Sequence, residues 1–136
     1  YGAWALWCAL GADLDRDQIA DEWEERYGGC TNFGGGTNDW DGDGVTDRDE
    51  YVADTNPTNP ASFFLINGVT RGSTYSVSFP AGADREYSLE RTHDLVTGTW
   101  QAVGGQTNLP GSGGTMVLED ADVGSDMFYR VDVCVP

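Results

Sequence analysis

Aspartate recurs at alternate positions in two short stretches of this chain, and the spacing is that of an oxygen cage for a cation. In Asp39-Trp40-Asp41-Gly42-Asp43-Gly44-Val45-Thr46-Asp47-Arg48-Asp49-Glu50, carboxylates fall at positions 1, 3, 5, 9 and 12 of a twelve-residue loop. A short loop wraps Ca²⁺ by this spacing. Asp39, Asp41, Asp43 and Asp47 offer single carboxylate oxygens, Asp47 directly or through a water. The Val45 carbonyl fills position 7, and Glu50 closes the sphere with both oxygens. Gly44, at position 6, permits the positive φ of a sharp turn without a Cβ penalty. The competing account is a solvated acidic loop. Carboxylates roughly 5 Å apart repel by about 3 kcal/mol per pair at an effective dielectric of about 20, which favours a bound cation.

The same pattern stands 26 residues earlier. Asp13, Asp15, Asp17, Asp21 and Glu24 align one for one with Asp39, Asp41, Asp43, Asp47 and Glu50, and Ile19 aligns with Val45. Position 6 is Gln18 instead of glycine, so the turn is expected to be strained or differently shaped and this site the weaker of the two. Two Ca²⁺ per chain is the expectation.

In EF-hands and dockerins the apolar loop residue sits at position 8; here it sits at position 7 in both copies. The run DWDGDGVTDRDEYVADTNP instead resembles the bacterial thrombospondin type 3 repeat, D-x-D-G-D-G-[LV]-[ST]-D-x-x-E followed by a G-T-D-P-like end. Asp54 replaces the usual glycine of that end. The resemblance spans residues 13–60 and implies calcium-dependent structure in a secreted protein, without catalysis.

These loops need elements to hold them. Residues 20–27 read as a helix leaving the first loop, with Ile19, Trp23 and Tyr27 on one stripe and Gly28-Gly29 as its stop. Residues 46–53 form the matching helix, with Tyr51 and Val52 as packing candidates. Residues 32–38 read as a flexible connector. Residues 55–60 (TNPTNP) read as a stiff extended junction, because proline excludes helix and restricts its predecessor. From Ala61 the apolar period becomes two. Strands are expected at 62–67, 73–79, 86–91, 99–103, 115–119 and 127–133, separated by glycine-rich turns, as in an antiparallel sandwich. Trp100, Tyr129 and Val131 are expected in its core. The segments YSLERTHDLVTGTWQAV and FYRVDV resemble a small fibronectin-type-III-like domain over residues 73–133. The fold class is therefore mainly β with a small α/loop calcium unit: an apolar segment (1–12), a double calcium-loop unit (13–60) and a β-sandwich (61–136).

Composition narrows the function. The formal charge is −16, and ten of the 23 acidic residues are the proposed ligands, so two Ca²⁺ would leave −12. With seven arginines and no lysine, nucleic acid is disfavoured, since its binding rests on neutralising phosphates; anionic membrane surfaces are disfavoured likewise. No apolar run reaches the length of a membrane span. Cys8, Cys30 and Cys134 permit one disulfide; Cys8 and Cys30 bracket the first loop and are the first choice. An extracellular location suits such sites and such disulfides. Thr55 and Thr58 are O-glycan candidates. His93 is the only histidine, and no Ser–His–Asp set, zinc spacing or phosphate loop accompanies it. A non-enzymatic structural role is expected.

Residues 1–12, YGAWALWCALGA, carry almost no polar side chain. Trp4, Trp7 and Cys8 share a helical face, while Trp4, Leu6 and Cys8 share a strand face. The segment packs on its own calcium unit or inserts into a neighbouring subunit. The second option, the leftover cysteine and the open edges of a small sandwich favour a cell-surface or extracellular fibre subunit assembling head to tail. The alternative is an accessory, spacer or carbohydrate-binding domain of a larger secreted hydrolase or adhesin, for which the exposed-looking Trp40 is the cue.

Overall fold

The computed structural model describes residues 12–33, 35 and 37–136. The apolar segment 1–12 lies outside the described residues except for Ala12. The chain divides into two compact units between Phe63 and Phe64. Among the described residues it is mainly β, with two short helices, and every strand pairing is antiparallel.

In the first unit, α1 spans Asp21–Gly28 and α2 spans Asp47–Ala53. Acidic residues fill the first turn of each (Asp21, Glu22, Glu24; Asp47, Asp49, Glu50), where they complement the positive end of the helix dipole. Thr46 caps α2, its Oγ1 accepting the Asp49 N–H at 3.2 Å. Gly29 ends α1 at φ 71°, and its N–H bonds the Glu25 carbonyl at 3.1 Å. Asp54 does the same for α2 at φ 58°, the position where the repeat pattern prefers glycine. Helices this short do not persist on propensity alone. They are held by a small core of Ile19, Trp23 and Phe33, flanked by Tyr27 and Tyr51. The Trp23 ring meets Tyr27 edge-on at 4.9 Å and Tyr51 at 5.6 Å.

Two expectations for this unit are corrected. Phe33, inside the supposed flexible connector, is buried. Its ring fills the space above Gly28, where a Cβ would come within 2.0 Å of it. The junction 55–60 is not extended but folds into successive turns, Asn56–Asn59 and Asn59–Ser62. Each is closed by an i→i+3 backbone bond (3.1 and 2.8 Å). Proline at the second position of both turns pre-sets φ, and each asparagine side chain accepts a backbone N–H two residues on.

The second unit contains β1 (Gly68–Arg71), β2 (Tyr75–Pro80), β3 (Glu86–Thr92), β4 (Gln101–Ala102), β5 (Leu109–Pro110), β6 (Thr115–Asp120) and β7 (Phe128–Cys134). One sheet has the order β1-β2-β6. In the other, β3 is central, pairing with β7 along its whole length and with the short β4 and β5 at its two ends. Val77 and Phe79 of β2, Leu118 of β6, Tyr87 and Leu89 of β3, Ala81 and Val103 form one core between them. Asp120 adds a buried polar tie: it receives Arg91 Nη1 at 2.6 and 2.8 Å and the Tyr129 hydroxyl at 3.0 Å. Burial alone would raise this carboxyl. The Asp122 N–H, Arg91 and Tyr129 instead hold it below the usual carboxylate range.

The strand expected at 62–67 lies instead at Gly68–Arg71, although Phe64 and Ile66 do pack on the core. The 99–103 strand shrinks to two residues, and Trp100 is half-buried instead of central, with Arg130 stacked on its ring at 4.5 Å. Tyr129 and Val131 are also only half-buried, because β7 has a neighbour on one side alone among the described residues. β5 was not legible at all: two residues containing proline carry no period.

Candidate metal centres

The two aspartate loops fold alike. In each, positions 4 and 6 take positive φ: Arg16 (64°) and Gln18 (77°) in the first loop, Gly42 (76°) and Gly44 (96°) in the second. Gln18 therefore adopts the glycine-type turn at a steric cost. Arg48 compensates by donating from Nη2 to Gln18 Oε1. The position-1 aspartates collect backbone N–H groups from inside their own loops. Asp13 accepts from Asp17 (3.2 Å) and Gln18 (3.1 Å); Asp39 accepts from Gly42 (2.7 Å), Asp43 (3.2 Å) and Gly44 (3.0 Å). Position 5 accepts from position 7 in both, Asp17 from Ile19 at 2.9 Å and Asp43 from Val45 at 2.7 Å. Position 9 ties the helix start back to position 2, Asp21 to Leu14 at 2.9 Å and Asp47 to Trp40 at 3.0 Å.

These bonds bring one oxygen each of Asp13, Asp15 and Asp17 within 4.8 Å of one another, and likewise Asp39, Asp41 and Asp43. Ligand oxygens on opposite sides of a Ca²⁺ ion are roughly 5 Å apart, so both triads fit one coordination sphere. Ile19 and Val45 stand at position 7 of their loops, Ile19 fully buried and Val45 half-buried.

Position 12 carries the decisive observation. Glu24 and Glu50 are both 0 % exposed. Both carboxylate oxygens of Glu24, and Oε2 of Glu50, have no hydrogen-bond partner; Asp47 Oδ2 and Asp41 Oδ2 are in the same condition. Among the described residues, the only other buried side-chain polar atom so left is the Trp23 indole nitrogen. Buried carboxylate oxygens are costly unless paired or bound to a metal. Five of them, all in these two loops, are what a pair of hard cations would satisfy, and the residues present therefore fit Ca²⁺. Glu50 Oε1 is oriented by the Thr55 hydroxyl at 3.1 Å; Thr55 is half-buried and Thr58 exposed.

Electrostatics agree. Burial first, then repulsion from Asp17 and Asp15, pushes Glu24 up to about 7. Burial, then Asp41 and Asp43, pushes Glu50 up to about 7 against the lowering effect of Thr55. Asp17 and Asp47 are raised too, chiefly by burial. A pH dependence of opposite sign with and without the ion follows. In the ion-free protein the folded state binds more protons than the unfolded state between the ordinary glutamate range and pH 7, so stability is full at low pH and is lost as pH rises through 7. The slope reaches about 1.4 kcal/mol per pH unit for each group. With Ca²⁺ bound, protons compete with the ion and the slope reverses. Melting curves in chelator at pH 5 and pH 7.5 should show the acid sample more stable, and curves in excess Ca²⁺ the reverse; equal slopes would contradict the site.

Sequence reasoning missed Gly35. At φ 94°, a Cβ there would lie 2.7 Å from Asp17 Oδ2, so the backbone before the second loop closes over the first. Gly42 at position 4 was also passed over. Its signal was present in the sequence as the first glycine of D-G-D-G.

His93 is exposed, its Nδ1 3.4 Å from Ser125 Oγ, while the Asp94 carboxylate is occupied by the Val96 N–H and the Thr97 hydroxyl. Among the described residues Cys30 and Cys134 form no disulfide, and Cys30 is exposed; the expected Cys8–Cys30 pairing involves Cys8, which lies outside the described residues. Among the described residues no helix is long and apolar enough to cross a membrane. Comparison with family models, curated proteins and solved structures finds no match to this chain.

Proposed function

We propose that this protein is a non-enzymatic, extracellular structural module in which two Ca²⁺ ions organise the first unit and an antiparallel, fibronectin-type-III-like β-sandwich forms the second, and that it serves as a fibre subunit assembling head to tail. The calcium reading is carried by the fully buried, unpartnered oxygens of Glu24 and Glu50 beside two matching aspartate triads. Asp13, Asp15, Asp17, Asp21, Glu24 and the Ile19 carbonyl would hold one ion; Asp39, Asp41, Asp43, Asp47, Glu50 and the Val45 carbonyl the other. Each ion would offset part of the charge of a cluster that otherwise repels itself and would fix the start of α1 or α2 to its loop. Sites of this kind in extracellular modules work at roughly 10⁻⁴–10⁻³ M Ca²⁺, which suits a secreted protein. The fibre reading is supported by the uncharged N-terminal sequence and by the open sheet edge treated below.

Calorimetric titration should give two Ca²⁺ per chain. Glu24→Gln and Glu50→Gln should each abolish one of them, and full binding in both variants would refute the assignment.

A second reading, carbohydrate binding by an accessory domain, rests on Trp40, which is 65 % exposed beside Phe33 at 4.7 Å. Quenching of tryptophan emission by oligosaccharides, lost in Trp40→Ala, would bring that reading forward.

A further inference from the structure

The sheet edges of the second unit are not equivalent. β4 and β5 are two residues each, and β5 contains Pro110. β1 has four residues and ends at Arg71, which is tied to Asp126 and to the Val123 carbonyl. β6 is longer, but Gln106 Oε1 already takes its Glu119 N–H at 3.1 Å. Short strands, proline and side-chain cover are the usual protections of an edge.

β7 has none of them. It is seven residues long, without proline or lysine, and its register with β3 runs unbroken from Thr92↔Phe128 to Glu86↔Cys134, so no bulge bends it away. Among the described residues no strand pairs its other side. The N–H and C=O groups of alternate residues on that side are therefore open to a further strand. Its inward residues Tyr129, Val131 and Val133 touch the core yet stay half-buried, whereas Tyr87 and Leu89 on the adjacent β3 are 0 % exposed. An added strand would cover that apolar flank.

We propose that β7 is the acceptor edge of the assembly and that its occupant is the apolar N-terminal segment of a second copy of this chain. The segment has the length and chemistry for it. Residues 2–10, GAWALWCAL, hold no charge and no proline, and exceed the seven residues of β7. Trp4, Leu6 and Cys8 recur at the strand period, the same period as Tyr129, Val131 and Val133, so one face of the incoming strand continues the apolar face of the sheet. Backbone pairing would supply affinity and the large side chains specificity, as in other strand additions. The segment joins the described chain at Ala12, whose carbonyl accepts the Asp21 N–H at 2.7 Å, so each donor strand would be anchored at a calcium loop. Donor and acceptor are different surfaces, and such a contact propagates into a filament or closes as a ring. This inference rests on the fibre reading and names its contact.

The test is hydrogen exchange on the full chain in calcium, with particle size measured in parallel over a dilution series. Multimers are expected, in which the amides of Phe128–Cys134 exchange more than about tenfold slower than in a Trp4→Asp/Leu6→Asp variant. That variant should be monomeric with both calcium sites intact. A synthetic peptide of residues 1–11, added in excess to the unaltered chain, reads the same contact without relying on the variant's folding. It should end the polymers while keeping exchange at β7 slow. Multimers with fast exchange at β7 would leave the fibre reading standing and overturn this contact; monomers with fast exchange would overturn both. Slow exchange in a monomer would place the segment on its own chain, and dimers persisting in the variant would mean that β7 pairs with β7. Either result overturns the proposal.

Discussion

In excess chelator the first unit is expected to melt at least about 20 °C lower than in calcium, while the second unit's transition stays within a few degrees. Each ion that binds only the folded state adds about 2.7 kcal/mol at roughly a hundredfold excess over its Kd. Two sites together contribute about 5 kcal/mol, and a unit of this size shifts by about 4–8 °C per kcal/mol. Among the described residues the core of the unit is three buried residues, Ile19, Trp23 and Phe33, with two half-buried tyrosines, far short of what a small domain needs without a metal. Removing the ions also leaves Glu24 and Glu50 buried beside like charges, so part of the destabilisation is repulsion released. Emission from Trp23, buried at 4 % exposure, should shift to the red as the unit opens. A melting curve unchanged by chelator would overturn the calcium reading.

Within that result the two loops should differ. Gln18 and Arg16 hold positive φ without being glycine, a steric cost of about 1–2 kcal/mol per residue, and that strain weakens the first site. Asp43→Ala should accordingly lower the calcium-bound melting temperature more than Asp17→Ala. The Arg48–Gln18 bond works against the difference by bracing the strained turn from α2.

The likeness of the two loops was legible because the same carboxylate spacing recurs in both, and the aspartates at positions 1 and 5 accept the same backbone N–H groups in each. The helices that follow were legible to within a residue, the first from the stripe of Ile19, Trp23 and Tyr27 and the Gly28-Gly29 stop, the second by its match to the first. What escaped was the material between them. Phe33 sits among glycines and asparagines, with no period to betray its burial, and only the shape of Gly28 in three dimensions shows why the ring belongs there. The junction 55–60 was misread because proline's fixed φ suits both an extended chain and the second position of a turn. The asparagines that decide between them act through side-chain bonds to the backbone, which leave no periodic signal.

In the second unit alternation identified the central strands well, since Tyr75, Val77 and Phe79 on β2 and Tyr87 and Leu89 on β3 are buried on both flanks. It misled at the periphery. Trp100 has the hydrophobic bulk of a core residue but lies where only two residues of β4 pair, and its ring is covered by Arg130 instead of the core. Val131 and Val133 alternate as cleanly as β3 does, and alternation reports which side of a strand faces inward, not whether a neighbour completes the cover. Asp120 was unreadable for a different reason. A carboxylate in a strand normally marks the solvent face, and this one is buried at 3 % exposure only because Arg91 and Tyr129 converge on it from β3 and β7.

Tyr87→Ala is expected to remove about 3–5 kcal/mol from the second unit, a large share of what a domain of this length has. Tyr87 is 0 % exposed on the central β3. Its ring lies 5.1 Å from that of Phe79 and 6.2 Å from that of Phe64. Around it the chain is tight: a Cβ on Gly111 would sit 2.8 Å from the ring, so neighbouring backbone cannot simply collapse into the vacated volume. The hydroxyl accepts the Gly82 N–H at 2.7 Å, which holds the β2–β3 turn onto the core. Tyr87→Phe separates the two contributions, since it keeps the ring and orphans one backbone N–H, at a cost of about 1–3 kcal/mol. Val96→Ala, at a position 90 % exposed, should change nothing measurable. Denaturant unfolding in saturating calcium, followed by tyrosine and tryptophan signals, gives the three midpoints. The order Ala below Phe below the unaltered chain is expected. A Tyr87→Ala midpoint close to that of Val96→Ala would mean that β3 is not the centre of this core.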